Sequence, residues 1–186
     1  MPLPPRVSYS RTSSLRDIMV RSKVPRPVRV ARRQVNSGFR KCNRRVDCSV
    51  CSHSVNTITH TCYETGEVFP ITSLINCEST GLVYCISCVK TNGQCGGGEA
   101  EVAGQQYIGC TARMLKTRFS EHVGSATQPS QALTTKPVGQ HFHLPGHTHC
   151  DMRLTPVESN DQFVLEARES YWIKKYGAVN GLNRRA

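Results

Sequence analysis

Two sets of residues in this chain have the types and spacing that chemistry requires. The first is soft. Cys42, Cys48 and Cys51 are separated by five and then two residues, and the two-residue gap lets both thiolates reach one tetrahedral ion. Cys77 is the candidate fourth sulfur of a structural zinc site, with Cys62, His53 and His60 as competitors. Further on, His141, His143, His147 and His149 put four imidazoles within nine residues, a density characteristic of metal binding. The second set is hard. Gln106-Tyr107-Ile108-Gly109-Cys110-Thr111 is preceded by Gly81-Leu82-Val83-Tyr84 and followed by Arg118, Glu169 and Asn183. Phenols, a guanidinium, a carboxylate and an amide can position water, grip an anion and hold a hard divalent cation.

Positioning these groups takes a small α+β framework. Leu82 to Ser87 and Gln105 to Gly109 are strand candidates, and Asn92-Gly93 supplies a turn signal between them. The glycine run at 96–98 lacks the Gly-Lys-Ser/Thr ending of a nucleotide-binding loop. Thr111 is placed to cap a helix over 111–124 that carries Arg113, Lys116, Arg118, Glu121 and His122 on its polar side and stops at Gly124. Residues 125–140 read as loop. Met152 to Glu158 alternates like a half-buried strand that Pro156 restricts to an edge. Asn160 or Asp161 then caps a helix to about Tyr176, with Trp172 and Ile173 in the core and Glu166 one turn before Glu169. Expected are a three-stranded antiparallel sheet with helices against it (81–186), a Cys-rich knuckle (41–80) and a basic arm (1–40). The arm could form one short helix over 13–20.

Composition narrows the function classes. The chain has 186 residues, 38% of them hydrophobic. It contains no apolar run of 18, so no spanning helix or membrane association is expected. An intracellular setting is expected from the absence of an apolar leader, and it favours metal binding over disulfides for the ten cysteines. Charge is uneven. Residues 1–45 hold 13 Lys/Arg against Asp17 alone, or +12. The remainder holds 11 against 12 acids, or −1, which together give the chain's +11. A basic arm of this kind points to nucleic acid.

The ordered motifs Gly81-Leu82-Val83-Tyr84, Tyr107-Ile108-Gly109, Arg118, Glu169-Ser170-Tyr171-Trp172-Ile173 and Gly181-Leu182-Asn183 resemble those of the GIY-YIG nucleases. More closely, the chain resembles the C-terminal endonuclease region of Penelope-like retroelements. That likeness includes Ser14 to Ser22, the cysteine knuckle, Tyr107 to Arg113, Glu121-His122, His141-Phe142 with Pro145-Gly146-His147, and the terminal run. Two features depart from the broader family: a longer stretch between Tyr84 and Tyr107, and a spacing of eleven positions from Tyr107 to Arg118.

The resemblance implies a nuclear, Mg-dependent endonuclease that nicks DNA. Glu169 would hold Mg²⁺ and Arg118 would fork onto the phosphate. Tyr107 would act as base or water positioner, with Tyr84 bonded beside it and His122 as second candidate base. Asn183 would orient the metal shell or the phosphate. It also implies a second zinc site at Cys88, Cys95, His141 and His147. Cys85-x2-Cys88 is the tighter pair by spacing, but those two face opposite sides of a strand, so Cys88 and Cys95 are preferred, and His143 and His149 are the substitutes for the histidines. DNA would lie along Arg32, Arg33, Arg113 and Lys116, RNA could use the arm, and a reverse transcriptase domain would be a separate or missing partner. The competing reading is a catalytically inactive, zinc-stabilised nucleic-acid-binding module. A ubiquitin-ligase-type zinc domain is disfavoured because its alternating eight-ligand pattern is absent.

Overall fold

Residues 82–88 are buried on both faces of a strand, and the rest of the fold is arranged around them. The computed structural model describes residues 37–42, 48–63, 65–90, 105–128, 136–179 and 181–183. The helix expected over 13–20, together with Arg32, Arg33 and Cys95, lies outside these. Val35–Ala186 form one compact unit.

In chain order the strands are β1 (Gly38–Phe39), β2 (Thr59–Thr61), β3 (Val68–Pro70), β4 (Leu74–Ile75), β5 (Leu82–Cys88), β6 (Gln106–Thr111) and β7 (Met152–Ser159). The helices are α1 (Ser49–Ser52), α2 (Leu115–Thr127), α3 (Pro137–Phe142) and α4 (Leu165–Lys175), with single 3₁₀ turns at His149–Asp151 and Gln162–Val164. The main sheet has the order β6-β5-β7 and is antiparallel throughout. Smaller two-stranded pairs are the β2-β3 hairpin and the parallel β1-β4 pair.

Alternation along β5 builds two cores. Leu82, Tyr84, Ile86 and Cys88 face forward and pack with Leu115 and Phe119 of α2, Val138 and Phe142 of α3, and Met152 and Leu154 of β7. Val83 and Cys85 face back and pack with Ile108, Val157, Leu165, Trp172 and Tyr176. The front core also holds Phe39, Val50, Ile75 and Cys77, so residues 41–80 are not a separate module from the sheet. Trp172 is buried in the back core and Ile173 is partly buried against it.

Pro156 lies in β7, an edge strand, as its missing N–H requires. A bulge between Val83 and Tyr84 sets Val83 against Glu158 and Tyr84 against Pro156. Leu154 serves the front core and Val157 the back by alternation, and the extra residue at Val157 shifts the phase so that Glu158 is the one set against Val83.

Two helix boundaries differ from expectation. Thr111 does not cap α2. It ends β6, and its Oγ1 accepts from Arg113 N at 3.1 Å, a local turn that competes with capping. The first donors of α2 are satisfied by tertiary carbonyls instead: Leu115 N donates to Ser79 O at 3.0 Å and Lys116 N to Cys77 O at 2.9 Å. Gly124 does not stop the helix, which runs on to Thr127, and a Cβ there would meet open space. Part of the expected 125–140 loop is therefore helical, α3 included, which starts at Pro137 as a first-turn proline should. Asp161 does cap the 3₁₀ turn that leads into α4, accepting from Phe163 N at 3.2 Å.

Candidate functional site

The β5-β6 register sets Tyr84 opposite Gly109 and Ile86 opposite Tyr107. Tyr84, Tyr107 and Gly109 therefore share the front face. A Cβ on Gly109 would come within 2.7 Å of both Tyr84 Oη and Tyr107 Cε1. Glycine is required here by this close approach of two phenol rings, since its φ is not positive.

α2 runs over this pair and delivers two side chains one turn apart. Arg118 Nε donates to Tyr84 Oη at 3.0 Å, and Tyr84 Oη lies 2.9 Å from His122 Nε2. Burial, reinforced by the Arg118 charge, pushes His122 down to about 3. The imidazole is therefore neutral at pH 7 and shares a hydrogen bond with Tyr84 Oη through Nε2. His122 also stands edge-to-face with Tyr107 at 5.5 Å between centroids. Burial raises both phenols above their ordinary value, and Arg118 partly opposes this in each. Burial works against the Arg118 cation, but Tyr84 and Glu121 outweigh it and its pKa rises.

Tyr84 and His122 are closed off from solvent, while Tyr107 is half-buried and the Arg118 side chain is 30% exposed. The guanidinium thus reaches the surface with its Nε already committed to Tyr84. Its Nη1 donates to Glu121 Oε2 at 3.0 Å, and Arg113 reaches the same carboxylate at 2.7 and 2.9 Å. These bonds to Arg113 and Arg118 lower the Glu121 pKa. Glu121 belongs to the Glu121-His122 motif but received no role from the sequence, although its i,i+3 spacing from Arg118 was a usable signal. Lys116, expected to face DNA, pairs with Glu78 at 3.3 Å on the exposed side of α2.

Glu169 approaches from α4 at the outer rim of β6. Its Oε1 accepts from Cys110 N at 3.1 Å, and Cys110 Sγ donates to Oε2 at 3.5 Å. The carboxylate lies near enough to Tyr84 and Tyr107 to raise both phenols. Burial and the Glu169 charge push the Cys110 thiol up to about 12, so it stays protonated. Glu166 is exposed.

Asn183 does something other than expected. Its Oδ1 accepts from Ile108 N at 2.7 Å and its Nδ2 donates to Ile108 O at 2.6 Å. Leu182 N donates to Gln106 O at 3.2 Å. Both polar atoms of the amide thus bond the free rim of β6 beside Glu169, which makes Asn183 a positioning residue for that strand.

Among the described residues, two clusters could hold metal ions. Cys42, Cys48, Cys51 and Cys77 gather their sulfurs, with Cys51 Sγ 3.4 Å from Cys42 Sγ and 3.3 Å from Cys77 Sγ. A tetrahedral ion with the usual zinc–sulfur distance needs an edge of about 3.8 Å, so small sulfur movements would admit it. Burial raises the Cys51 and Cys77 thiols, the cost that an ion removes by binding thiolate. The competitors are elsewhere: Cys62 and His60 are in the back core, and His53 bonds to Ser49 O and His149 O.

The second cluster is Cys88, His141 and His147. The two imidazoles are 4.8 Å apart between centroids, and His147 Nε2 is buried without a protein partner while Nδ1 faces Pro145 O at 3.4 Å. An orphaned ring nitrogen backed by a carbonyl is the arrangement of a metal ligand. Burial, then His147, pushes His141 down to about 4. Cys85 belongs to the back core, His143 bonds to Gly139 O, and His149 lies outside the cluster.

No helix among the described residues is long and apolar enough to cross a membrane. No protein-family model matches the chain, and no solved structure does. The chain is similar to "Uncharacterized protein 019R" of Invertebrate iridescent virus 6, 36% identical over 78 residues, which is 41% of this chain. The match spans 26% of the viral protein's length.

Proposed function

We propose that this chain is a metal-dependent endonuclease of the GIY-YIG type that nicks DNA, of the kind carried by Penelope-like retroelements. One observation supports it above all: Tyr84, Tyr107, Arg118 and Glu169, which span 86 positions of sequence, converge around Gly109. A phenol pair, a partly exposed guanidinium and one carboxylate are the groups that hydrolysis of a phosphodiester calls for.

The donor set fits Mg²⁺, because Glu169 offers a half-buried hard oxygen ligand and leaves room for the waters that this ion keeps. When bound there, Mg²⁺ would supply charge neutralisation at the phosphate. The chain's own groups divide the remaining work. Arg118, oriented by Tyr84 Oη and by Glu121 on Nη1, presents the exposed part of its guanidinium to a phosphate oxygen. Neutral His122 hydrogen-bonds Tyr84 Oη and so holds the phenol beside Arg118. Tyr107 is protonated at pH 7 and orients the attacking water by hydrogen bonding. Asn183 and Cys110 N keep β6 and the Glu169 carboxylate in register. The two cysteine-containing clusters hold structural zinc. The substrate is nuclear DNA, gripped by the basic arm, by Arg113 and by Lys116. The arm can also hold RNA, and a reverse transcriptase domain is the natural partner.

The test is nicking of supercoiled plasmid in Mg²⁺ by the full chain and by Glu169→Gln, which keeps an acceptor for Cys110 N but loses the charge. Loss of nicking in the variant is expected. Equal nicking by both proteins rejects the assignment. Salt-sensitive DNA binding with no cleavage by either protein would establish the inactive binding module instead.

A further inference from the structure

The back of the sheet carries a cavity of about 270 Å³ that the proposed nuclease site does not use. It lies under the β2-β3 hairpin, against the side chains of Cys85, Ser87, Gln106 and Thr155, on the face opposite Tyr84 and Tyr107. Its volume is near the lower end of the range for small-molecule sites, about 300–1,000 Å³.

Three features of the lining select a ligand. Arg153 is the only charged side chain in it, no carboxylate lines it, and the guanidinium has no protein partner among the described residues. Hydroxyls of Thr59, Thr61 and Thr155 add neutral donors at the wall. Tyr63 stands at the margin, 39% exposed, with its backbone fixed by Gln106 Oε1 at 2.9 Å. A lone cation with hydroxyls asks for a phosphate, and an exposed phenol ring asks for a planar base.

We infer that this cavity is a mononucleotide-binding site, with the phosphate on Arg153 and the base against Tyr63. The site is independent of the nuclease reading. Bound nucleotide links β2 to β5 and β7, and so stiffens the back core.

The experiment is isothermal titration of the metal-loaded full chain with adenosine 5′-monophosphate, adenosine and inorganic phosphate. The nucleotide is expected to bind one per chain, with adenosine and phosphate each weaker by about tenfold or more. Arg153→Gln should weaken the nucleotide by about tenfold or more, and Tyr63→Leu by severalfold, with unchanged circular dichroism. Should Arg153→Gln fail to fold, Arg153→Lys, which keeps the charge and loses the fork, provides the same contrast. Glu169→Gln should bind the nucleotide like wild type, which separates this site from the front one. The inference is overturned by any of three results: no binding at millimolar nucleotide, equal binding by the Arg153 variant, or phosphate alone binding as tightly as the nucleotide.

Discussion

Two tyrosine–histidine pairs are buried on opposite faces of one three-stranded sheet. On the front, Tyr84 meets His122; on the back, Tyr176 meets His60. Burial pushes both imidazoles down, to about 3 and about 4, and raises both phenols. The pairs differ in what surrounds them. Arg118 bonds to the front phenol and reaches solvent beside it. The back pair is enclosed by Phe69 and Trp172, rings that lend it packing and no charge. The same two residue types thus make a polar relay in one place and an aromatic wedge in the other. The deciding factor is whether a cation shares the hydrogen bond. The cores differ in the same way, since both candidate metal clusters adjoin the front one and neither adjoins the back.

The largest test of that contrast is metal removal. Stripping metal with a strong chelator should cost on the order of 10 kcal/mol, which exceeds the stability of many domains. Cooperative thermal unfolding should be lost, as read by near-UV circular dichroism. Cys51→Ser should lose one equivalent of bound metal, whereas Cys85→Ala in the back core should lose none.

Next in size is the phenol contrast. Tyr84→Phe leaves both Arg118 Nε and His122 Nε2 without their partner, and should slow plasmid nicking by about a hundredfold. Tyr176→Phe should leave nicking unchanged and show only in denaturant melts, at about 1–2 kcal/mol.

The histidines predict a pH dependence. Each has a folded pKa below its unfolded value of about 6.5, so the unfolded chain takes up the proton first. Stability is therefore present above pH 6.5 and is lost as pH falls towards about 4 for His60 and about 3 for His122, with each histidine contributing up to about 1.4 kcal/mol per pH unit. His122→Gln and His60→Gln should each flatten this slope in urea titrations. Slopes equal to wild type in both variants would contradict the burial argument.

The smallest effect belongs to Lys116→Ala. Its exposed pair with Glu78 should change stability by less than about 0.5 kcal/mol. DNA binding should lose about one unit of salt slope.

The legible part of this architecture is local or periodic. The gap between Cys48 and Cys51, the apolar run over 82–88 and the restriction that Pro156 places on β7 can all be read along the chain, because each depends on near neighbours. Thr111 misled because a threonine between strand and helix can cap the helix or close a turn. The choice fell to the carbonyls of Ser79 and Cys77, more than thirty residues upstream. Gly124 misled because a glycine within a helix costs little when neighbouring turns are well packed. The bond from His60 to Tyr176 joins residues 116 positions apart and follows no period. Asn183 belonged to a recognisable motif, but its partner, the main chain of Ile108, could not be read from side-chain types at all.

The outer rim of β6 has a further consequence. Gln106 O, Ile108 N and O, and Cys110 N would be unsatisfied along that strand, and the chain occupies them with Leu182, Asn183 and Glu169. A molecule cut before Leu182 would bare a row of ladder donors and acceptors and recruit strands from its neighbours. Its tail thus guards against self-polymerisation, and a truncated preparation would be expected to precipitate before its enzymology could be measured.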